Sequence, residues 1–278
     1  FPGRVDVDAK GRFDGMGNFK VEVARATGVV AGRNLQLQGT AGRDADIYYV
    51  EGLRVTAGPN RLEVQGRWGR ELSASFRVEA PELAALWPGL SGRLEGRGAL
   101  GGTLARPRLD LDLAGESLAW GNFRAATLAA QGGLDRADRL AVRIATRELR
   151  AGERLLGDLV LTADGPRRNH DIGLTLSGAD VNLDVGGSGR WADGQFTASL
   201  TSGAVILPAN QAWRLDDPLV LALGPASARA SAHCWALQGG RNGEGRLCLG
   251  EINATPASQS GSLELRGFPI GVLADLGL

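Results

Sequence analysis

Arg106–Trp120 reads RPRLDLDLAGESLAW, with Leu109, Leu111 and Leu113 alternating with Asp110 and Asp112. Successive side chains of a β-strand point to opposite faces, so the stretch predicts a strand with its leucines on one face and its aspartates on the other. The leucine face must then be covered by a helix, by a second sheet, or by something that is not this chain.

The same period recurs along most of the sequence. It appears as RVDVDA (4–9), FKVEVA (19–24), NLQLQG (34–39), NRLEVQG (60–66), DIGLTLSG (171–178), NLDVGG (182–187) and GSLELRG (261–267). Clusters such as AGPN (57–60), ADGP (163–166) and GGRNGEG (239–245) separate these runs as turn signals. GGSGRW (186–191) also reads as a turn. Roughly sixteen to twenty strands follow, at the spacing of an antiparallel all-β protein. Forty-two glycines in 278 residues, with 5% aromatics, suit many short strands and few large core anchors.

Helical periodicity is confined to PELAALWPGL (81–90) and FPIGVLADLGL (268–278). Each follows an alternating strand. The implied organisation is a β-strand segment over 1–80, then a unit over 81–278 of one short helix and its strands, ending in the start of a further unit. The whole reads as one continuous elongated domain. A helix about 10 Å across shields two or three strands spaced about 4.8 Å apart, so two short helices leave most of the apolar face open. The expected fold is an elongated antiparallel sheet, roughly 80 Å along its hydrogen-bonding direction if continuous, shaped as a trough with an apolar interior.

The residues expected to face inward are Val5, Val7, Val21, Val23, Leu35, Leu37, Leu62, Val64, Leu109, Leu111, Leu113, Leu174, Leu176, Leu183, Val185, Leu219, Leu221, Leu223, Leu263 and Leu265. An aliphatic wall of this kind suits a fluid hydrocarbon guest, and it also suits an ordinary sandwich core. Periodicity leaves both open.

Several functions are excluded or disfavoured. Thirty-one basic and thirty-one acidic residues cancel, which provides no field for nucleic acid. His170 and His233 lie in separate strand-like contexts. No zinc-protease helix, nucleophile elbow or phosphate-cradling glycine loop is present, so no enzyme, metal or cofactor is expected. No run approaches the ~20 apolar residues of a membrane-spanning helix, and FPGRVDVDAKGRF already alternates like a strand, so the chain reads as an internal segment of something longer.

LAALWPGLSGRLEGRGALGGTLARPRLDLDLAGESLAWGNF (83–123) resembles the TamB family of AsmA-like envelope proteins, in which a short helix precedes a PGLSGRL…GTL..PRL pattern and alternating strands. HCWALQGGRNGEGRLCLGE (233–251) is similar to the same family, with a Cys-Trp strand followed by a Leu-Cys strand. The resemblance implies a Gram-negative periplasmic protein held in the inner membrane by an N-terminal helix outside this segment. It also implies a sheet folded lengthwise like a taco, whose greasy inside carries phospholipid acyl chains between the membranes in outer-membrane biogenesis. The family's other implied role is assembly of outer-membrane β-barrels with a TamA-type partner. A purely structural sandwich or solenoid is the bland alternative.

Cys234 and Cys248 flank a turn near Arg241 and fall opposite each other on adjacent strands, so an oxidising periplasm would join them. A buried free pair is the alternative. Zinc would need four ligands, and His233 points away from Cys234 on a strand.

Overall fold

A computed structural model describes residues 5–14, 17–30, 33–86, 89–103, 105–192, 194–207, 211–238 and 245–267. Contacts group the chain into two units, Phe1–Asp138 with Thr146–Glu153, and Arg139–Ala145 with Arg154–Leu278. The all-β, antiparallel expectation holds, with twenty-two strands among the described residues.

The first unit contains β1 (Val5–Phe13), β2 (Phe19–Val30), β3 (Arg33–Asp44), β4 (Ile47–Ala57), β5 (Asn60–Trp68), β6 (Leu72–Ala80), β7 (Leu90–Gly102), β8 (Pro107–Trp120) and β9 (Phe123–Leu134). Each pairs antiparallel with the next, so order in space follows order in sequence. Short hairpin links enforce this. Gly58 (φ 59°) and Gly121 (φ 56°) supply the positive φ that a two-residue hairpin loop needs at its first position.

β10 (Arg139–Ala151) contributes residues to both units. The second unit continues with β11 (Arg154–Pro166), β12 (His170–Ser177), β13 (Asn182–Ala192) and β14 (Gln195–Leu207), again neighbour to neighbour. At β14 the sheet forks. Its C-terminal part pairs with β15 (Gln211–Leu215), and its N-terminal part pairs with β16 (Leu219–Gly224). From β15 one branch runs through β18 (His233–Gln238) and β19 (Arg246–Leu249) to β22 (Leu263–Arg266). From β16 the other runs through β17 (Ser227–Ala230) and β20 (Ile252–Thr255) to β21 (Ser258–Ser260). The Asp216-Asp217-Pro218 break after β15 starts the division, and the Asp216 N–H donates to the Cys234 carbonyl at 2.9 Å.

Two sequence expectations are corrected. Among the described residues, the helix expected over 81–90 is a single 3-10 turn, Leu83–Ala85. Buried Asn60 pins its start: Nδ2 donates to the Glu82 carbonyl at 2.8 Å and to the Ala57 carbonyl at 3.1 Å, while Oδ1 accepts the Glu82 N–H at 3.0 Å. Both backbone groups of Glu82 are thereby engaged by a side chain. β7 then begins at Leu90, which leaves no length for a nucleated helix. The second helical stretch, 268–278, lies outside the described residues. GGSGRW belongs to β13 rather than a turn; its glycines make room for neighbours, since a Cβ on Gly189 would meet the His170 ring.

The Asn60 clamp gives a first prediction. Asn60→Ala should cost about 1–3 kcal/mol, the penalty for leaving half-buried backbone groups unpartnered. The readouts are a lowered denaturant midpoint and faster hydrogen exchange at Glu82. An unchanged exchange rate there would remove the clamp.

Candidate functional site

Directly opposed residues of antiparallel neighbours share a face, so the registers can be followed across the first unit. One row runs Val7, Ala26, Leu37, Val55, Leu62, Val78, Gly96, Leu113 and Ala130. Beside it lie Leu53, Val64, Phe76, Gly98, Leu111 and Gly132, then Val21, Ala41, Val50, Gly66, Ala74, Leu100, Leu109 and Leu134. Val23 pairs with Gly39 in the second row, and Val5 follows through Gly28 to Leu35. All eleven first-unit candidates therefore share one face. Glycines let that face be grooved: a Cβ on Gly98 would run into the Phe76 ring, and one on Gly96 into Leu113.

Alternation survives along long strands because bulges correct its phase. Register shifts fall between Val23 and Ala26, between Val50 and Leu53, and between Ser91 and Arg93 opposite Ser117. Each such bulge bends its strand and increases local twist.

In the second unit one row runs Leu159, Leu176, Leu183, Val205, Trp213 and Leu237. The next carries Leu161, Leu174, Val185 and Gly203. Leu200, Ala198 and Phe196 on β14 oppose Leu219, Leu221 and Leu223 on β16. Leu215, Trp235, Leu247 and Leu265 line the first branch, with His233, Leu249 and Leu263 beside them. The nine second-unit candidates thus fall on one face too.

Cover over the two faces is uneven: the row through Leu176 and Trp213 is buried or half-buried, while parts of the first unit's face and the last strands of the second stay open. Among the described residues the buried apolar set is Ala57, Ala80, Leu83, Ala85, Ala130, Leu176, Ala198 and Trp213, so alanines make up most of it. Val5, Val7, Leu62, Leu100, Leu109, Leu223, Leu263 and Leu265 stay exposed, with Leu109 at 44%.

Leu83 adds a local feature. With Leu94, Leu118, Phe123, Leu128 and Leu149 it lines an almost wholly apolar hollow of about 320 Å³ at one end of the first unit's strands. The opposite face is polar and carries exposed cross-strand pairs: Arg54–Glu63 at 2.9 Å, Arg67–Glu51 at 3.0 Å and Arg97–Asp112 at 3.6 Å. Each contributes at most about 1 kcal/mol. Their larger effect is on register, because a one-residue slip would turn every charge onto the apolar face.

The histidines are packing groups. His170 is buried, its Nδ1 3.2 Å from the Arg167 carbonyl and its ring stacked on Phe196. His233 Nδ1 lies 2.9 Å from the Ser231 carbonyl. Cys234 and Cys248 are bonded across β18 and β19, with Cα atoms 4.1 Å apart. Alternation puts them on the face opposite Trp235 and Leu247. Among the described residues no group of three or more His, Cys, Asp or Glu could hold a metal, and no helix is long and apolar enough to cross a membrane.

Sequence reading left several members of the apolar face unnamed, among them Val55, Phe76, Val78, Leu100, Leu161 and Leu200. LRVTA and SFRVEA carry the same alternation and could have shown the first of them. Trp213 is buried and sits in the row with Leu183 and Val205.

A family model described as TamB, N-terminal domain, matches residues 3–276. The translocation and assembly module subunit TamB of Haemophilus influenzae is 29% identical over 174 residues, which cover 60% of this chain. The match spans 13% of that relative's length. No solved structure matches.

Proposed function

The chain belongs to the family of the TamB N-terminal domain, and from that membership we propose that it is a stretch of lipid conduit, carrying phospholipid along its apolar face between the inner and outer membranes. The observation that carries this reading is the partly uncovered aliphatic face. A leucine fully buried in a core contributes about 1.5–3 kcal/mol, and Leu62 and Leu109, 37% and 44% exposed, withhold part of that from folding. A guest with acyl chains supplies the missing cover. Exposing a chain of roughly fourteen methylenes to water costs about 11 kcal/mol at 0.8 per methylene. Continuous rows of Val, Leu and Phe remove most of that cost without specific contacts, so a lipid can slide. The role is non-enzymatic and needs no cofactor.

The setting we infer is the Gram-negative periplasm, with the full-length protein anchored in the inner membrane outside this segment. A second reading, assembly of outer-membrane β-barrels with a TamA-type partner, is supported by the Haemophilus relative's name. Its contacts would lie elsewhere in the longer protein, and it is compatible with conduction. A purely structural scaffold is disfavoured, because it would gain from closing the apolar face and the buried set is mostly alanine.

Native mass spectrometry and organic extraction of the protein, purified from envelopes without detergent, test the proposal. Co-purifying phospholipid is expected. Protein that is folded, monodisperse and lipid-free under those conditions would overturn it.

A further inference from the structure

The last row of the first unit's apolar face, at the strand ends joined by the 14–18, 45–46 and 69–71 turns, differs from the aliphatic rows behind it. It reads Phe13, Phe19, Arg43, Tyr48 and Trp68 in register. Phe13 stacks on Phe19 with centroids 6.2 Å apart, and Tyr48 on Trp68 at 5.8 Å. The Arg43 guanidinium sits over the Tyr48 ring at 5.4 Å. These rings are not core: Phe13 is 76% exposed and Trp68 42%. Arg43 Nε donates to the Ala45 carbonyl at 2.8 Å, and its Nη2 lies 3.9 Å from the carboxylate of the highly exposed Asp46. Among the described residues its terminal nitrogens donate no hydrogen bond and can take another acceptor.

The other end of β1 to β5 on this face is aliphatic, with Val5, Gly28, Leu35 and Ala57 in register. The hollow at that end of the sheet is lined from the 3-10 turn that Asn60 clamps and from β7 to β10, by Leu83, Leu94, Leu118, Trp120, Phe123 and Arg124 among others. Over β1 to β5, one margin thus offers amphipathic rings and a cation and the other aliphatic side chains; at the far margin a ring and a cation, Trp120 and Arg124, come only from β8 and β9. Tyrosine and tryptophan settle where one end of the ring is apolar and the other wet, as at a membrane's headgroup level. Arginine pairs with phosphate through its planar fork.

Building on the conduit reading, we propose that phospholipid lies across the first unit along its strands, with its phosphate at the Phe13–Phe19–Arg43–Tyr48–Trp68 margin and its acyl chains directed toward Leu83. The span fits. From Trp68 to Asn60 along β5 is about 27 Å, against about 15 Å for one leaflet's share of a bilayer's hydrocarbon. A lipid held this way keeps a constant orientation as it moves from strand to strand.

The test uses the unmodified protein loaded with one of two photoreactive phosphatidylethanolamines, carrying a diazirine on the headgroup or at mid-chain, and maps adducts by peptide mass spectrometry. Headgroup adducts should concentrate on peptides holding Phe13–Phe19 and Tyr48 or Trp68. Mid-chain adducts should concentrate on Leu109–Leu113 and Leu83–Leu94. Headgroup adducts shared equally between the two margins, or favouring the Leu83 side, would overturn the orientation while mid-chain adducts on the apolar face left the conduit standing. Adducts from neither lipid on that face would overturn both. Arg43→Gln should reduce headgroup labelling at the margin about tenfold, the order of one charge-assisted hydrogen bond, with mid-chain labelling unchanged. Full headgroup labelling in that variant would remove the guanidinium's part.

Discussion

A protein carrying Leu111→Arg keeps its strand content and its unfolding midpoint, and loses phospholipid passage. Leu111 is half-buried and opposed by Gly98 on β7, over which the Phe76 ring lies, and by Gly132 on β9, so an arginine there has room on the β9 side only. The long arginine side chain can carry its guanidinium past this half-buried position to solvent. The expected change in stability is therefore of the size of a surface substitution, about 0.5 kcal/mol. In the loaded state the same charge faces acyl chains, at a cost of about 2.5–3.5 kcal/mol on insertion scales. That corresponds to about a hundredfold in passage rate. Asp112 is the internal control, on the opposite face, where it accepts from Gln131 at 3.1 Å and pairs with Arg97 at 3.6 Å. Asp112→Asn should conduct normally. A photoreactive side chain at position 111 should capture phospholipid in cells, and one at 112 should not. Equal capture at both positions, or a Leu111→Arg protein that unfolds as a filled core would, returns the face to the ordinary sandwich.

The face was legible because its period of two does not depend on distant residues. RVDVDA, NLQLQG and RLDLDLAG each assign their own apolar side, and the registers only had to align them. RPRLDLDLAGESLAW also held a signal that alternation by itself does not capture. Its apolar positions are odd through Leu113 and even from Leu118 to Trp120. That slip marks the irregularity at Ser117, whose φ of 50° shifts the phase, and Leu118 packs back over Gly115 on the same face. Other features could not be read locally. Asn60 finds its partner at Glu82, twenty-two residues away, and without that clamp PELAALWPGL has the pattern of a short helix. The fork at β14 depends on two short strands sharing one long neighbour, a matter of tertiary pairing. The aromatic margin escaped for a related reason: Phe13, Tyr48 and Trp68 are dispersed in sequence and meet only because four hairpins bring their strand ends into one row.

The branch that carries Cys234 and Cys248 should depend on their bond, and lipid binding should not. β15, β18, β19 and β22 are four to six residues long, too short to hold together well without support. Cys234 opposes Cys248 directly, and Cys248 opposes Glu264 on β22, so the bond ties the middle of the branch. Closing a loop of this size contributes about 3 kcal/mol in the chain-entropy model. The Cys234→Ser, Cys248→Ser protein should therefore show amide exchange on the order of a hundredfold faster in β18 and β19, with exchange over Leu109–Leu113 unchanged. Non-reducing peptide mapping of protein exported to an oxidising compartment should find the linked pair, and two free thiols there would sink the prediction. Because alternation turns both sulfurs away from Trp235, Leu247 and Leu265, reduction should leave co-purifying phospholipid on the first unit undiminished. Loss of all lipid on reduction would mean instead that the first unit's face is held in shape by the branch, and the two would have to be treated as one cooperative structure.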